Sequence, residues 1–294
     1  MRWAALALTF ALVTPVPGVM ARTVAVLVAA LQVSGVAQPP TQASDSTRLV
    51  IQAPPPTALT KAATWVGRTE QMEAHLRNAD IVSIQDIGTG VTKPQRAHLK
   101  PTVPFESLVW KVLPPGRKSG WFESYKSEIA AYELDKLLGM NMVPPAVERT
   151  INGEQGAAIM WIRSVTSVKQ SGGQLPQGAV WGPPIRKMLM FDNFIGNPDR
   201  NAGNILVGTP GEFILIDHSR AFLKNKDLPN KVERVDAALW DKFQAVTRDD
   251  LVRVLGPWID PDAIDAMLER RKRMTDAVDK LVAKKGKALV VINQ

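Results

Sequence analysis

The amino-acid sequence predicts an α+β domain whose first half is rich in β-strands and whose second half is helical. Short apolar runs bounded by Gly, Asn and Pro predict the strands, and longer segments with apolar residues at helical spacing predict the helices. The 294 residues are enough for a sizeable core, and 45% hydrophobic and 22% charged residues are ordinary globular usage. This composition excludes a wholly disordered chain.

The composition also excludes several classes of function. The sequence has no cysteine, so a disulfide framework, a thiolate metal site and a cysteine nucleophile are all excluded. Three histidines leave little for a histidine-rich metal site. The formal net charge of +8 suits phosphate-bearing partners, but the basic residues are spread along the chain. Because no aromatic residues alternate with them, we expect no nucleic-acid binding.

Residues 1–37 have the pattern of a targeting segment. Their second apolar run, residues 23–36, follows a basic residue and ends in small residues at Ala37, so Met20 is a candidate true start. This pattern is typical of a signal peptide, and no run reaches the length of a spanning helix. We expect an exported protein, with an uncleaved membrane anchor or a buried N-terminal helix as alternatives. If the leader is not functional, we expect a cytoplasmic protein.

A linker separates this segment from the predicted domain. Residues 38–60 contain five prolines among Gln, Ser and Thr, a composition typical of an extended linker. We therefore expect the folded domain to cover residues 61–294.

The domain begins with a helix-compatible segment, residues 63–79, and a strand over residues 81–87. Gly88-Thr89-Gly90 follows, before a second strand-like segment from Val91. A Gly-containing turn between two strands predicts a hairpin. The turn containing Gly88 and Gly90 is either only a turn or a loop whose backbone amides cover phosphate groups.

An apolar run over residues 107–113 contains one charged residue, Lys111. Burying an ammonium group is costly unless it meets an anion, so Lys111 either binds an anion or reaches water from an edge strand. The next segment, residues 125–139, predicts a helix that ends at Gly139. Glu128 lies in its first turns. There it is either a favourable charge near the helix N-terminus or the partner of Lys111.

Two further strands, over residues 147–151 and 157–162, are predicted around the turn Asn152-Gly153. A helix over residues 185–195 follows, then a polar loop to Asn204. A hairpin is predicted next, with strands over residues 205–207 and 213–216.

Asp199 and Asn204 flank the last part of the polar loop, and Asp217 directly follows the hairpin. Phosphoryl transfer needs a carboxylate that orients the attacking hydroxyl and oxygen ligands for a hard cation. Asp199 is the candidate proton acceptor, and Asn204 and Asp217 are the candidate metal ligands. Asn204 lies five positions after Asp199, the spacing of a kinase catalytic loop. The alternative is a surface turn, because turns favour Asp, Asn and Gly.

Two nearby residues complete this hypothesis. Asp192, at the end of the preceding helix, is the second candidate for the proton acceptor. Arg200 either neutralises the Asp199 carboxylate or faces solvent.

The last 70 or so residues predict three helices. The first covers residues 237–245, and Thr247 with Asp250 predicts the capped start of the second. Asp260-Pro261 begins the third, which we expect to run to about residue 284. Its basic run, residues 270–273, is either a solvated face or a surface for an acidic partner.

Two blocks of the sequence resemble a known group of enzymes. The first is Asn-Pro-Asp-Arg-Asn-Ala-Gly-Asn-Ile-Leu at residues 197–206, followed by Leu-Ile-Asp-His-Ser-Arg-Ala-Phe at residues 215–222. The second is the helix over residues 125–139 with the Val-Pro-Pro after it. They resemble atypical kinases, namely the secretory-pathway kinases that include the Golgi casein kinase, the HipA-like kinases and the phosphatidylinositol kinases. The resemblance covers roughly residues 80–225.

The resemblance implies a bilobal protein-kinase-like fold, with a β-rich N-lobe over about residues 61–165 and a helical C-lobe over about residues 166–294. It implies the following site residues: Asp199 as catalytic base, Asn204 and Asp217 as metal ligands, Lys111 as phosphate lysine with Glu128 as its partner, and Gly88 and Gly90 as a loosely matched phosphate loop. The chain departs from ordinary protein kinases at residues 217–219, Asp-His-Ser, where those have Asp-Phe-Gly.

We therefore expect an ATP- and Mg-dependent (or Mn-dependent) phosphotransferase that acts on a hydroxyl group of a protein, sugar or lipid. One alternative is a pseudokinase that binds nucleotide without turnover. Another is a basic envelope protein that binds a surface. Attachment to a membrane is expected only through the N-terminal segment.

Overall fold

The computed structural model of the protein describes residues 61–88, 93–101, 104–118 and 121–293. The predictions for residues 1–60 and for Gly90 lie outside the described residues. Within the described ranges, no helix is both long and apolar enough to cross a lipid bilayer.

The described residues form an α+β domain, as the sequence predicts. The helices are Thr69–Asn78 (α1), Tyr125–Leu138 (α2), Gly182–Ile195 (α3), Ala237–Ala245 (α4), Arg248–Leu255 (α5), Pro261–Lys285 (α6) and Lys287–Val290 (α7), with a 3₁₀ turn at Ala179–Trp181. The strands are Ile81–Asp86 (β1), Gln95–Leu99 (β2), Ser107–Lys111 (β3), Gly116–Lys118 (β4), Trp121–Glu123 (β5), Ala146–Ile151 (β6), Glu154–Met160 (β7), Thr166–Ser167 (β8), Ile205–Val207 (β9), Phe213–Leu215 (β10), Val235–Asp236 (β11) and Val291–Ile292 (β12).

A five-stranded antiparallel sheet dominates the first half of the domain, with the strand order β1-β2-β3-β7-β6. Successive strand residues point to opposite faces. On one face, Leu108 and Trp110 pack with Met72 and Leu76 of α1. On the other face, Lys111 points to α2. The sheet therefore separates an apolar cluster from the face on which charged groups meet.

The helix α2 begins and ends at residues suited to those positions. Ser124 is the N-cap, and its Oγ accepts a hydrogen bond from the N–H of Lys126 at 3.0 Å. Gly139 has φ 60° and ends the helix in the left-handed conformation. The helix predicted over residues 125–139 is thus confirmed, and Glu128 lies on its first turn.

The strands β1 and β2, predicted as a hairpin around Gly88, pair antiparallel, and the two other predicted hairpins are also present. Asn152 and Gly153 have φ 52° and 84° and join β6 to β7 in a two-residue turn. The strands β9 and β10 pair antiparallel, with Ile205 opposite Leu215.

The first predicted helix is shorter than the sequence indicates. Residues 63–79 were expected to be helical, but α1 begins only at Thr69. Gly67 has φ 77°, which a right-handed helix cannot contain. Upstream of it, the N–H groups of Ala62 and Ala63 donate to the carboxylate of Glu212 instead of entering a helix.

The helices α3 to α6 pack around the second apolar cluster. α4 has the predicted bounds, and Thr247 and Asp250 form the predicted capping box of α5. α3 ends at Gly196, with φ 62°. A Cβ atom there would lie 2.7 Å from Cζ of Arg270, so the close approach of Arg270 requires glycine.

The basic run over residues 270–273 is not the continuous solvated face that the sequence suggests. Arg270 is fully buried and donates hydrogen bonds to the carbonyls of Phe194 and Leu223. Arg271 donates to the carbonyl of Phe243 at 2.9 Å. These arginines join α6 to α3, to α4 and to the loop after β10, since a guanidinium group can donate to several carbonyl groups at once.

Candidate active site

Lys111 is the centre of a buried cluster of charges. Its Nζ lies 2.5 Å from Oε1 of Glu128 and 2.7 Å from Oδ1 of Asp217. Lys111 and Glu128 are both almost fully buried, whereas the Asp217 side chain is 33% exposed. The ammonium group is therefore held from the inside by one carboxylate and faces a second carboxylate that borders the solvent.

Both members of the buried pair are charged. Burial opposes the ammonium, but the carboxylates of Glu128 and Asp217 outweigh burial and raise the pKa of Lys111. Burial also opposes the Glu128 carboxylate, but the Lys111 ammonium and the contact with His218 together outweigh burial and hold the pKa of Glu128 far below its usual range. Glu128 is fixed further, because its Oε2 accepts the backbone N–H of His218 at 2.9 Å.

The hairpin β9–β10 brings the two candidate metal ligands together. Asn204 precedes β9, and Ile216 and Asp217 follow β10. The N–H of Ile216 donates to the carbonyl of Asn204 at 3.1 Å, which continues the ladder to the open end of the hairpin. Asp217 then turns away with φ 59°, a conformation that Asp tolerates better than most residues.

Arg200 ties this hairpin end to α3. Its Nε and Nη2 each lie 2.9 Å from an oxygen of Asp192, a bidentate ion pair that is almost fully buried. Its Nη1 donates to the carbonyls of Asn204 and Ile216 at 2.9 and 2.8 Å. Arg200 neither faces solvent nor pairs with Asp199, so both interpretations made from the sequence are wrong. The Arg200 guanidinium instead holds the end of the hairpin β9–β10 in position relative to α3.

Asp192 cannot serve as the alternative proton acceptor. It is fully buried, and Asn197 also donates to its Oδ1 at 2.9 Å. Both oxygens are thus occupied by protein donors, including Arg200. Asp199 differs, because its side chain is 34% exposed.

The backbone around Asp199 is held by its own loop. Its N–H donates to Oδ1 of Asn197 at 3.1 Å, and its carbonyl accepts the side-chain amide of Asn204 at 2.9 Å. The carboxylate itself accepts a hydrogen bond from Nη1 of Arg220 at 3.2 Å. The side-chain amide of Asn201 also donates to both the carbonyl and Oδ1 of Asp199, at 3.3 and 3.4 Å. The carboxylate is therefore oriented by Arg220 and Asn201.

His218 is buried behind these residues and is uncharged. Nη2 of Arg200 lies 2.9 Å from its Nε2. Because a guanidinium can only donate, Nε2 is the acceptor and the proton is assigned to Nδ1. Burial lowers the pKa of His218, with the charge of Arg200 acting in the same direction and that of Glu128 against it.

The side-chain oxygens at the end of the hairpin are suitable ligands for a hard cation. Oδ1 of Asn204 and Oδ2 of Asp217 take part in no hydrogen bond within the described residues, because the bonds of both side chains use their other atoms. Amide and carboxylate oxygens are the ligands that Mg²⁺ and Mn²⁺ prefer. The described residues contain no cluster of three or more His, Cys, Asp or Glu that could hold a metal by itself. A cation here would therefore need further oxygen ligands from water or from a phosphate.

The structure brings five of the predicted site residues into one connected network: Lys111, Glu128, Asp199, Asn204 and Asp217. Gly88 lies just after β1 with φ 73°, and no contact among the described residues joins it to this network. Gly90, its predicted companion, lies outside the described residues.

The roles of three residues were not predicted from the sequence: Asp192, Arg220 and Glu123. For Asp192 a signal existed. A carboxylate in the last turn of an apolar helix meets the negative end of the helix dipole and needs a nearby cation. For Arg220 and Glu123 no such local signal existed, because they are 97 positions apart in the sequence.

Comparisons with known proteins agree with this fold. No family model matches the chain, and no curated protein matches it by sequence. Among solved structures, hydra Fam20 with sugar has a TM-score of 0.62 at 18% identity, over 77% of this chain and 92% of that chain. The Golgi casein kinase has a TM-score of 0.60 at 14% identity, over 76% of this chain and 79% of that chain. The Golgi casein kinase with Mn/ADP bound has a TM-score of 0.59 at 14% identity, over 76% and 78%.

These three structural neighbours are Fam20 and Golgi casein kinase structures. The predicted kinase-like α+β fold is confirmed, and so is the resemblance at the level of the fold.

Proposed function

We propose that this protein is an atypical kinase that transfers the γ-phosphoryl group of ATP to a hydroxyl group of a protein, sugar or lipid. The contact of buried Lys111 with both Glu128 and Asp217 carries this proposal. A buried ion pair adds little net stability over a well-packed apolar pair. A fixed ammonium that contacts a partly exposed carboxylate is better explained by the binding of an anionic substrate together with a cation.

Each side chain then has one task. Lys111, oriented by Glu128, binds the phosphates of the nucleotide. Asp199 accepts the proton of the attacking hydroxyl, for which its partial exposure suits it. Asn204 and Asp217 hold Mg²⁺ or Mn²⁺, which when bound neutralises charge on the phosphates.

The proposal is tested by nucleotide-dependent thermal stabilisation, and the decisive variant is Asp217→Ala. For the wild type we expect ATP with Mg²⁺ to raise the melting temperature. At a free ligand concentration 100 times Kd, binding adds about 2.7 kcal/mol to the free energy of unfolding. In Asp217→Ala the Mg²⁺-dependent part should vanish, because a carboxylate ligand is lost. Asp227→Ala, an exposed aspartate paired with Arg273, is the control and should behave as wild type.

Stabilisation without any ATP hydrolysis or autophosphorylation would support the pseudokinase alternative. A wild-type protein that gains no stability from nucleotide would contradict both functions. If Asp217→Ala kept the full Mg²⁺-dependent gain, Asp217 would not be a metal ligand.

The Lys111–Glu128 pair predicts non-additive losses of activity. Lys111→Met and Glu128→Gln should each lower ATP turnover strongly, and the double variant should cost little more, because each change already disables the pair. A double-mutant cycle measures the interaction energy. Full additivity would show that the two residues do not act together.

We also propose that the protein is exported through residues 20–37, on the basis of the basic start, the apolar run and the small residues ending at Ala37. Expressed from Met20 in a Gram-negative host, the protein should be cleaved after Ala37 and recovered outside the cytoplasm. N-terminal sequencing measures this. An intact cytoplasmic product would contradict export and would place the enzyme with cytoplasmic ATP.

A further inference from the structure

Arg220 places a positive charge at the candidate catalytic carboxylate. Its Nη1 lies 3.2 Å from Oδ2 of Asp199, and its Nε lies 2.7 Å from Oε1 of Glu123. The Glu123 side chain is only 4% exposed, whereas that of Asp199 is 34% exposed. One guanidinium group therefore joins a buried anchor to a carboxylate that borders the cleft.

Glu123 fixes the direction of this guanidinium. It is the last residue of β5 and directly precedes Ser124, whose N–H donates to the carbonyl of Ser219 at 2.9 Å. A guanidinium group is planar, so a carboxylate that holds Nε also restricts the plane of both terminal nitrogens. Burial lowers the pKa of Arg220, but Glu123 and Asp199 outweigh it and raise the pKa, so the group stays charged.

Two other cations of the site are engaged by protein groups. Lys111 is held by Glu128 and Asp217, and Arg200 by Asp192 and by main-chain carbonyls. The residues between Arg200 and Asn204 are Asn, Ala and Gly, so that part of the loop supplies no positive charge. Of the described residues, Arg220 is the cation that contacts Asp199.

We propose that Arg220 is a further catalytic residue, which binds oxygens of the transferring phosphoryl group, and that Glu123 is its positioning residue. The inference rests on the proposed kinase function. In the transfer, a bond forms between the acceptor oxygen and the γ-phosphorus while the bond from phosphorus to the bridging oxygen breaks. The acceptor proton goes to Asp199, and the electron pair of the broken bond stays on ADP.

The position of Arg220 follows from this step. A base that receives the proton of the attacking hydroxyl lies one hydrogen bond from the oxygen that attacks phosphorus. A guanidinium that contacts this base is therefore close enough to reach phosphoryl oxygens. An arginine supplied from the same chain stabilises the charge of this transition state in other phosphoryl-transfer enzymes.

The test compares Arg220→Ala with wild type, using the full chain with Mg²⁺, ADP and aluminium fluoride, a mimic of the phosphoryl group in transfer. Mg²⁺ and ADP should raise the melting temperature of both proteins equally. Aluminium fluoride should add a further increase only in the wild type. ATP turnover of Arg220→Ala should fall by about 10²–10³, and added guanidinium ion should raise the turnover of this variant but not that of the wild type.

Three further variants sharpen the test. Glu123→Gln should lower turnover with the Mg·ADP shift unchanged, and guanidinium ion should not restore it. Arg220→Lys keeps the charge and replaces Arg220→Ala in the test if that variant fails to fold. Its turnover should lie between those of the wild type and Arg220→Ala, because lysine lacks the paired donors of a guanidinium group. Lys224→Ala is the matched control, since Lys224 lies in the same segment but is exposed and pairs with Asp260 and Asp262.

Wild-type turnover and a full aluminium fluoride increment in Arg220→Ala would overturn the inference while leaving the proposed function intact. Loss of the Mg·ADP shift in a folded Arg220→Ala or Arg220→Lys protein would also overturn it, because the residue would then act in ground-state binding. Wild-type behaviour of Glu123→Gln would remove the positioning role of Glu123. A wild type without any Mg·ADP shift or turnover would overturn this inference and the proposed function together.

Discussion

Replacing Asp199 by asparagine is expected to lower turnover by roughly 10²–10⁴, the usual contribution of a positioned general base. Asparagine has the size of aspartate but cannot accept the proton of the attacking hydroxyl. The loop should keep its shape, because Asn197 and Asn204 contact the main chain of residue 199 and not its carboxylate. The affinity for nucleotide and Mg²⁺ should be nearly unchanged, since Asn204 and Asp217 are assigned to the metal.

The measurement needs only ATP hydrolysis or autophosphorylation together with the Mg·nucleotide thermal shift. Asp227→Asn is the matched control, because it makes the same chemical change at an exposed aspartate. Wild-type turnover in Asp199→Asn, combined with an inactive Asp217→Ala, would mean that another group accepts the proton. Asp192 could not be that group, because Arg200 and Asn197 occupy its oxygens.

The parts of the fold that the sequence predicts well are those that depend on neighbouring residues. The end of α2 at Gly139 and the capping box at Thr247 and Asp250 each involve hydrogen bonds over three to five positions. The tight turn at Asn152-Gly153 is equally local. The spacing of Asp199 and Asn204 belongs to the same category, because both side chains lie on one short loop.

The hydrogen-bond partners of long basic side chains could not be predicted in this way. Arg200 contacts the carbonyl of Ile216, 16 positions away, and Arg270 contacts that of Phe194, 76 positions away. From the sequence alone, both residues look like ordinary surface charges. Only the packing of α3, α6 and the loops shows that both arginines donate to buried carbonyl groups. Arg200 also pairs with the buried carboxylate of Asp192.

The buried pair of Asp192 and Arg200 predicts the largest effect on stability. Asp192→Ala should lower the free energy of unfolding by roughly 3–5 kcal/mol, because it leaves the guanidinium buried without its carboxylate. Turnover should fall as well, since Arg200 also holds the carbonyls of Asn204 and Ile216 at the proposed metal site. Denaturant unfolding measures the first effect, and ATP hydrolysis below the unfolding transition measures the second.

A double variant separates charge burial from positioning. Asp192→Leu with Arg200→Met removes both charges, so it should recover part of the stability lost in Asp192→Ala. It should not recover turnover, because without Arg200 the two carbonyls at the hairpin end have lost their donor. Asp276→Ala, an exposed residue of α6, is the control and should stay within about 0.5 kcal/mol of wild type. An Asp192→Ala protein as stable as this control would show that the pair does not hold the loop. Full turnover in the double variant would show that Arg200 does not position the site.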